Sequence, residues 1–193
     1  MDDVRIRAWW WSRQGLDGSL AGRRVFVEAC RYPNSKPHPG LGEGLRGNGS
    51  QGYAAQIWGI SGAEYTRRAD PWPLNPNGEI LLGLKIEDKH ALANAERVSA
   101  IPGIGFAEWG PGDMGMSLGL PDGHGPNETL HPQMAAARAR VLAACKKNKI
   151  AFLNTVRLDD VEAMIREGVM IGSGGGAEAA DKGRRFTKRK MPW

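Results

Sequence analysis

Two acidic residues, 26 positions apart, stand where an alternating strand–helix chain does its chemistry. Glu87 closes the apolar run ILLGLKIE, and Asp113 follows a second run in FAEWGPGDMGMSLG, residues 106–119. Their separation is close to the roughly 30 residues of one βαβ unit. Both carboxylates are therefore expected side by side on the rim made by the strands' carboxyl ends, where loops and helix N-termini converge. Two carboxylates, completed by waters and an oxygen-rich substrate, form the shell of a hard divalent cation such as Mg²⁺. In GPGD, Gly112 lets the backbone approach a ligand, and the N–H groups of Gly112 and Asp113 open a helix, where unpaired donors favour a carboxylate or phosphate. Taken singly, the same residues also suit an N-cap at Asp113 and a helix cap at Glu87.

Lys85, two residues before Glu87, points to the same strand face. A buried ammonium needs a partner. It pairs with the carboxylates, contacts an anionic substrate or acts as a Schiff-base nucleophile; otherwise it reaches solvent past the rim. The GSGGG loop at residues 172–176 suits either a tight turn or an anion contact. His38, His90, His124 and His131 fall in loops or at helix starts, where surface or capping roles are expected.

The elements that must hold these residues begin near residue 79. EILLGLKIE has strand length, and DKHALANAERVSA sets Ala91, Leu92, Ala95 and Val98 on one helical face. IPG then turns the chain into the strand IGFAEWG. A short helical turn and loop follow Asp113, then a long alanine-rich helix from HPQM with proline near its start. Next come the strand IAFLNT, the helix LDDVEAMIREG capped by Gly168, and the strand VMIGSGGG. Such alternation is the pattern of a parallel sheet covered on both faces. In the first third, VFVEACRYP closes a helix, whereas residues 34–59 and 61–78 are expected to be irregular, and the opening MDDVRIRAWWWSRQGLDGS shows neither period.

The 193 residues, 41% hydrophobic and 24% charged, suit one soluble domain with a substantial core. No stretch approaches the ~18 apolar residues of a membrane span, and the N-terminal segment lacks an apolar signal core, so a cytoplasmic protein is expected. Cys30 and Cys145 have no metal-ligand spacing and are expected to be reduced packing residues. The net charge is +5, but residues 182–193 hold six basic residues and no acid, so the first 181 residues sit at −1. The basicity belongs to an expected solvated tail, and no nucleic-acid motif accompanies it.

RYP, GLGEGLRGNG, LGLKIED with ALANAE, IPGIGFAEWGPGDMGMSLG, HPQM and VMIGSGGG together resemble the second half of the HpcH/HpaI aldolase family, which includes relatives of the citrate lyase β subunit. The resemblance runs from about residue 21 to the C-terminus; its most specific part is KIED followed by GPGDMGMSLG. It implies an α/β partial TIM (β/α) barrel over residues 21–181 that lacks the first strands. Residues 1–20 are then unassigned, and 182–193 form the basic tail. The implied activity is that of a metal-dependent carbon–carbon lyase cleaving a 2-oxo acid to pyruvate and an aldehyde. Glu87 and Asp113 match the family's metal carboxylates, for Mg²⁺, Mn²⁺ or Co²⁺, and Gly112 with Asp113 matches the amides that take the substrate carboxylate. Lys85 stands where such aldolases often carry glutamine. The family's base histidine and keto-binding arginine have no counterpart, which leaves the catalytic residues unassigned. It also leaves two alternatives, an inactive fragment or interaction subunit and a citryl-CoA-type lyase. A homo-oligomer with a small-molecule substrate, binding neither nucleic acid nor membrane, is the expected assembly.

Overall fold

A computed structural model describes residues 8–12, 20–49, 51–121, 123 and 130–189. The chain divides into two compact units, one from Met1–Leu84 with Ala100–Gly105, the other from Lys85–Ser99 with Phe106–Trp193.

In the first unit, β1 (Ala8–Ser12) pairs in parallel with β2 (Ile80–Ile86), from Ala8 opposite Ile80 to Ser12 opposite Leu84. Residues 8–12 of the opening segment, unassigned from the sequence, thus form a strand. After α1 (Leu20–Ala29), the glycine- and proline-rich stretch is held by bonds back to that helix and to the residues just after it. Leu45 N–H donates to Glu28 O (2.8 Å), Arg46 N–H to Arg31 O (2.8 Å) and Gly42 N–H to Glu28 Oε1 (2.6 Å). A Cβ on Gly44 would lie 2.3 Å from Tyr32 O, so only glycine allows this close approach. The two stretches expected to be irregular each contain a helix, α2 (Gln51–Trp58) and α3 (Gly62–Arg68). For α3 the cause is local: the Ser61 hydroxyl accepts from Glu64 N–H at 3.1 Å, with glutamate at the third helical position, as in a capping box. Tyr65 then packs edge-on against Trp58, their ring centroids 4.8 Å apart. Arg31 and Asp70, both buried, form an ion pair at 2.9 Å. Ser35 and Asn75 also donate to Asp70, and Arg31 Nη2 donates to Lys36 O.

The second unit begins with the end of β2. The helix expected over residues 88–100 is two short ones, α4 (Lys89–Ala93) and α5 (Ala95–Ser99), broken at Asn94; Ala91, Ala95 and Val98 are buried, as the helical spacing implies. β3 (Ile104–Trp109) leads into α6 (Pro111–Ser117). The long α7 (Pro132–Asn148) has Pro132 in its first turn and the His131 ring accepting from Gln133 N–H. It buries Met134, Ala137, Val141, Leu142, Ala144 and Cys145 along one face. β4 (Ala151–Thr155) pairs in parallel with β3 and with β5 (Val169–Ser173). Between β4 and β5 lies α8 (Val161–Glu167), ended by Gly168 at φ 118°, the left-handed cap its sequence implies. The GSGGG loop makes a tight turn, with Gly174 at φ 79° and Gly176 at φ 68°, into α9 (Gly176–Thr187). Residues 182–187, expected in a solvated tail, are the last turns of that helix. Both cysteines are free thiols. No helix among the described residues is long and apolar enough to cross a membrane.

Candidate active site

Lys85 and Glu87 leave the carboxyl end of β2 on one face, as alternation along a strand requires. Glu87 is 5% exposed, and Lys85 Nζ lies 3.0 Å from its Oε2. Pairing with a carboxylate is one of the roles open to Lys85. The cap of α4 is Asp88, its side chain accepting from His90 N–H at 2.7 Å and Ala91 N–H at 2.8 Å.

Across from Glu87 lies Gly110, the N-cap of α6. A Cβ there would sit 2.4 Å from Glu87 Oε2 and 3.0 Å from Glu87 Cβ, so the carboxylate rests on bare backbone. Asp113 is not an N-cap. Pro111 takes the first position of α6, so Gly112 and Asp113 fall in its first turn, ahead of the first intrahelical bond, Met114 N–H to Gly110 O at 3.0 Å. Their N–H groups belong to the donors a helix leaves without internal acceptors. The Asp113 side chain is exposed. The far end of α6 is tied to the start of α4 by Lys89 N–H donating to Ser117 Oγ at 3.0 Å.

Five further residues complete this region. Glu108 stands one residue before the end of β3, its Oε2 buried without a hydrogen-bond partner among the described residues. Burial pushes its carboxyl above the usual range, the Lys85 ammonium pulls it down and the Glu87 carboxylate raises it again. Trp109, immediately before Gly110, donates its indole N–H to Asn154 Oδ1 at 2.9 Å inside the unit. Arg138 also donates to that oxygen, at 3.3 Å, and grips Glu167 with two bonds of 2.7 and 2.6 Å. Among the described residues, no group of three or more His, Cys, Asp or Glu side chains converges as a metal cage.

The family model for HpcH/HpaI aldolase/citrate lyase matches residues 26–178, and the chain belongs to that family. The 2-keto-3-deoxy-L-rhamnonate aldolase of Salmonella schwarzengrund (strain CVM19633) is 31% identical over 122 residues, 63% of this chain and 36% of that enzyme. The chain thus spans about a third of the length of the curated relatives it matches. Among solved structures, an HpcH/HpaI aldolase/citrate lyase family protein from Burkholderia cenocepacia J2315 superposes with a TM-score of 0.63 at 21% identity, covering 93% of this chain and 62% of that one. The HpcH/HpaI aldolase of Desulfitobacterium hafniense DCB-2 gives 0.61 at 20% identity, over 98% and 67%. At these identities the likeness is one of fold. The expected α/β architecture with parallel strands is met, and the five strands among the described residues fall short of the eight of a closed (β/α)₈ barrel.

Proposed function

We propose that this chain carries the oxo-acid end of a carbon–carbon lyase that cleaves a 2-oxo acid to pyruvate and an aldehyde, working in the cytoplasm as a homo-oligomer. The observation that carries the reading is Glu87. It is a buried carboxylate held against the bare backbone of Gly110, directly ahead of the turn that presents Asp113. The residues fit a hard divalent cation, Mg²⁺, Mn²⁺ or Co²⁺. Glu87 brings a carboxylate to the end of β2 with its Oε2 against the Gly110 backbone, and Asp113 adds a second, exposed carboxylate from the first turn of α6. Glu87 and Asp113 would hold it. Bound there, such a cation would supply Lewis-acid polarisation of the substrate's keto group.

The chain's own residues supply the contacts for the substrate carboxylate. The N–H groups of Gly112 and Asp113 take the substrate carboxylate, with the favourable end of the helix dipole behind them. Lys85 offsets the negative charge gathered at the strand end. The Trp109–Asn154–Arg138 bonds fix the approach to the GPGD turn, so those donors stay oriented as the substrate arrives.

Calorimetric titration with pyruvate, with and without Mn²⁺, tests this on the wild type, Glu87→Gln and Asp113→Asn. Heat that requires Mn²⁺ and disappears in both variants is expected. Heat without metal, or surviving both changes, sinks the site. Metal-dependent pyruvate binding with no cleavage of a 4-hydroxy-2-oxo acid would instead identify the chain as an inactive member that keeps the site.

A further inference from the structure

We infer that Lys85 is a tethered cation that competes with a divalent metal for Glu87, and that Glu108 is the seat to which its ammonium moves when a metal arrives. This rests on the reading that Glu87 and Asp113 take a metal. Three observations place the ammonium between two alternatives. Lys85 Nζ lies 3.0 Å from Glu87 Oε2, with side chains only 18% and 6% exposed, so the pair is shielded from the solvent that would weaken it. Glu108 stands on β3, the neighbour of β2 in the sheet. Glu108 further keeps a buried oxygen, Oε2, with no hydrogen-bond partner among the described residues. A buried carboxylate oxygen of that kind is costly until a donor reaches it. A lysine has three donors on a four-carbon stem, and rotating that stem exchanges one acceptor for the other without moving the strand.

The consequence is selectivity by charge. A divalent cation offers Glu87 twice the charge of the ammonium and can displace it; a monovalent ion offers no advantage over a lysine already in place. Divalent affinity is then set below what the carboxylates alone would give. The displaced ammonium remains beside the metal, satisfied by Glu108.

The test is Mn²⁺ binding to the full chain without oxo acid, read by calorimetry and by the Mn²⁺ electron-spin signal, with circular dichroism confirming that each variant is folded. Lys85→Gln, and Lys85→Met as a second neutral replacement, are expected to bind Mn²⁺ at least tenfold more tightly than the wild type. Lys85→Arg, which keeps the charge, is expected to show no gain. Glu108→Gln should weaken Mn²⁺ in the wild type by more than it does in the Lys85→Gln background, because there no ammonium needs a seat. Unchanged or weaker binding in both neutral variants, with Glu87→Gln still abolishing the site, overturns the competition and leaves the metal reading standing. Binding that survives Glu87→Gln, or no binding in any variant, overturns both.

Discussion

Replacing Gly110 by alanine probes how firmly Glu87 is held. Gly110 has φ −98° and ψ 102°, a conformation open to any residue, so the methyl group brings no backbone strain of its own. It does bring a clash, because the new Cβ would stand 2.4 Å from Glu87 Oε2, 3.0 Å from its Cβ and 3.4 Å from its Cδ. Restoring ordinary contact needs a shift of about 1 Å in a side chain that is 5% exposed. That shift lengthens the 3.0 Å contact with Lys85 to about 4 Å, which at an effective dielectric constant of about 20 forfeits about 1.4 kcal/mol of attraction. Overpacking a filled site adds about 1–3 kcal/mol. Gly110→Ala is therefore expected to cost about 2–4 kcal/mol in urea unfolding followed by circular dichroism. Gly52→Ala is the control: nothing lies within 4 Å of its Cβ position in α2, and alanine there is expected to be neutral or to stabilise by up to ~1 kcal/mol. A loss below 0.5 kcal/mol at Gly110, matched to the control, would refute the claim that the carboxylate is pinned on bare backbone.

Three other outcomes follow from the structure. Arg31→Met leaves Asp70 charged and buried without its guanidinium, and is expected to cost about 3–5 kcal/mol in the same unfolding assay. The twin bonds from Arg138 hold the Glu167 carboxyl below the usual range. The stability this contributes is present above the unfolded carboxylate pKa and is lost as pH falls through the depressed folded value, so an NMR titration should find Glu167 low in the wild type and raised in Arg138→Met. Burial pushes the Cys145 thiol up to about 12 and the Cys30 thiol up to about 11. Iodoacetamide at pH 8 should therefore leave both unmodified in the native protein and label both in denaturant.

The strands and helices after residue 79 are legible in the sequence because their apolar periods are long enough to declare themselves and glycine or proline marks their ends. Asn94 is an exception. Ala91, Ala95 and Val98 keep helical spacing across it, so nothing in the spacing reveals the break between α4 and α5. The helices α2 and α3 are hidden by surrounding glycines and prolines, although Ser61 and Glu64 already carry the start signal of α3. β1 has no readable period because its partner, β2, lies some seventy residues away, and only pairing makes AWWWS a strand. At the candidate site, strand-end position and same-face spacing suffice to put Lys85 beside Glu87. Gly110 is missed since Gly112, inside the GPGD motif, draws attention from the glycine that touches Glu87. Glu108 is the one charged residue in IGFAEW, a signal present but silent about its neighbours, which come from another strand.

Trp109 donates its indole hydrogen into a buried bond with Asn154 and stands one peptide from Gly110. Fluorinated tryptophan incorporated throughout would give one resonance for each of seven indoles, and the one lost from its place in Asn154→Ala belongs to Trp109. That nucleus would report from beside the GPGD turn, able to register an incoming anion without dye or coupled assay.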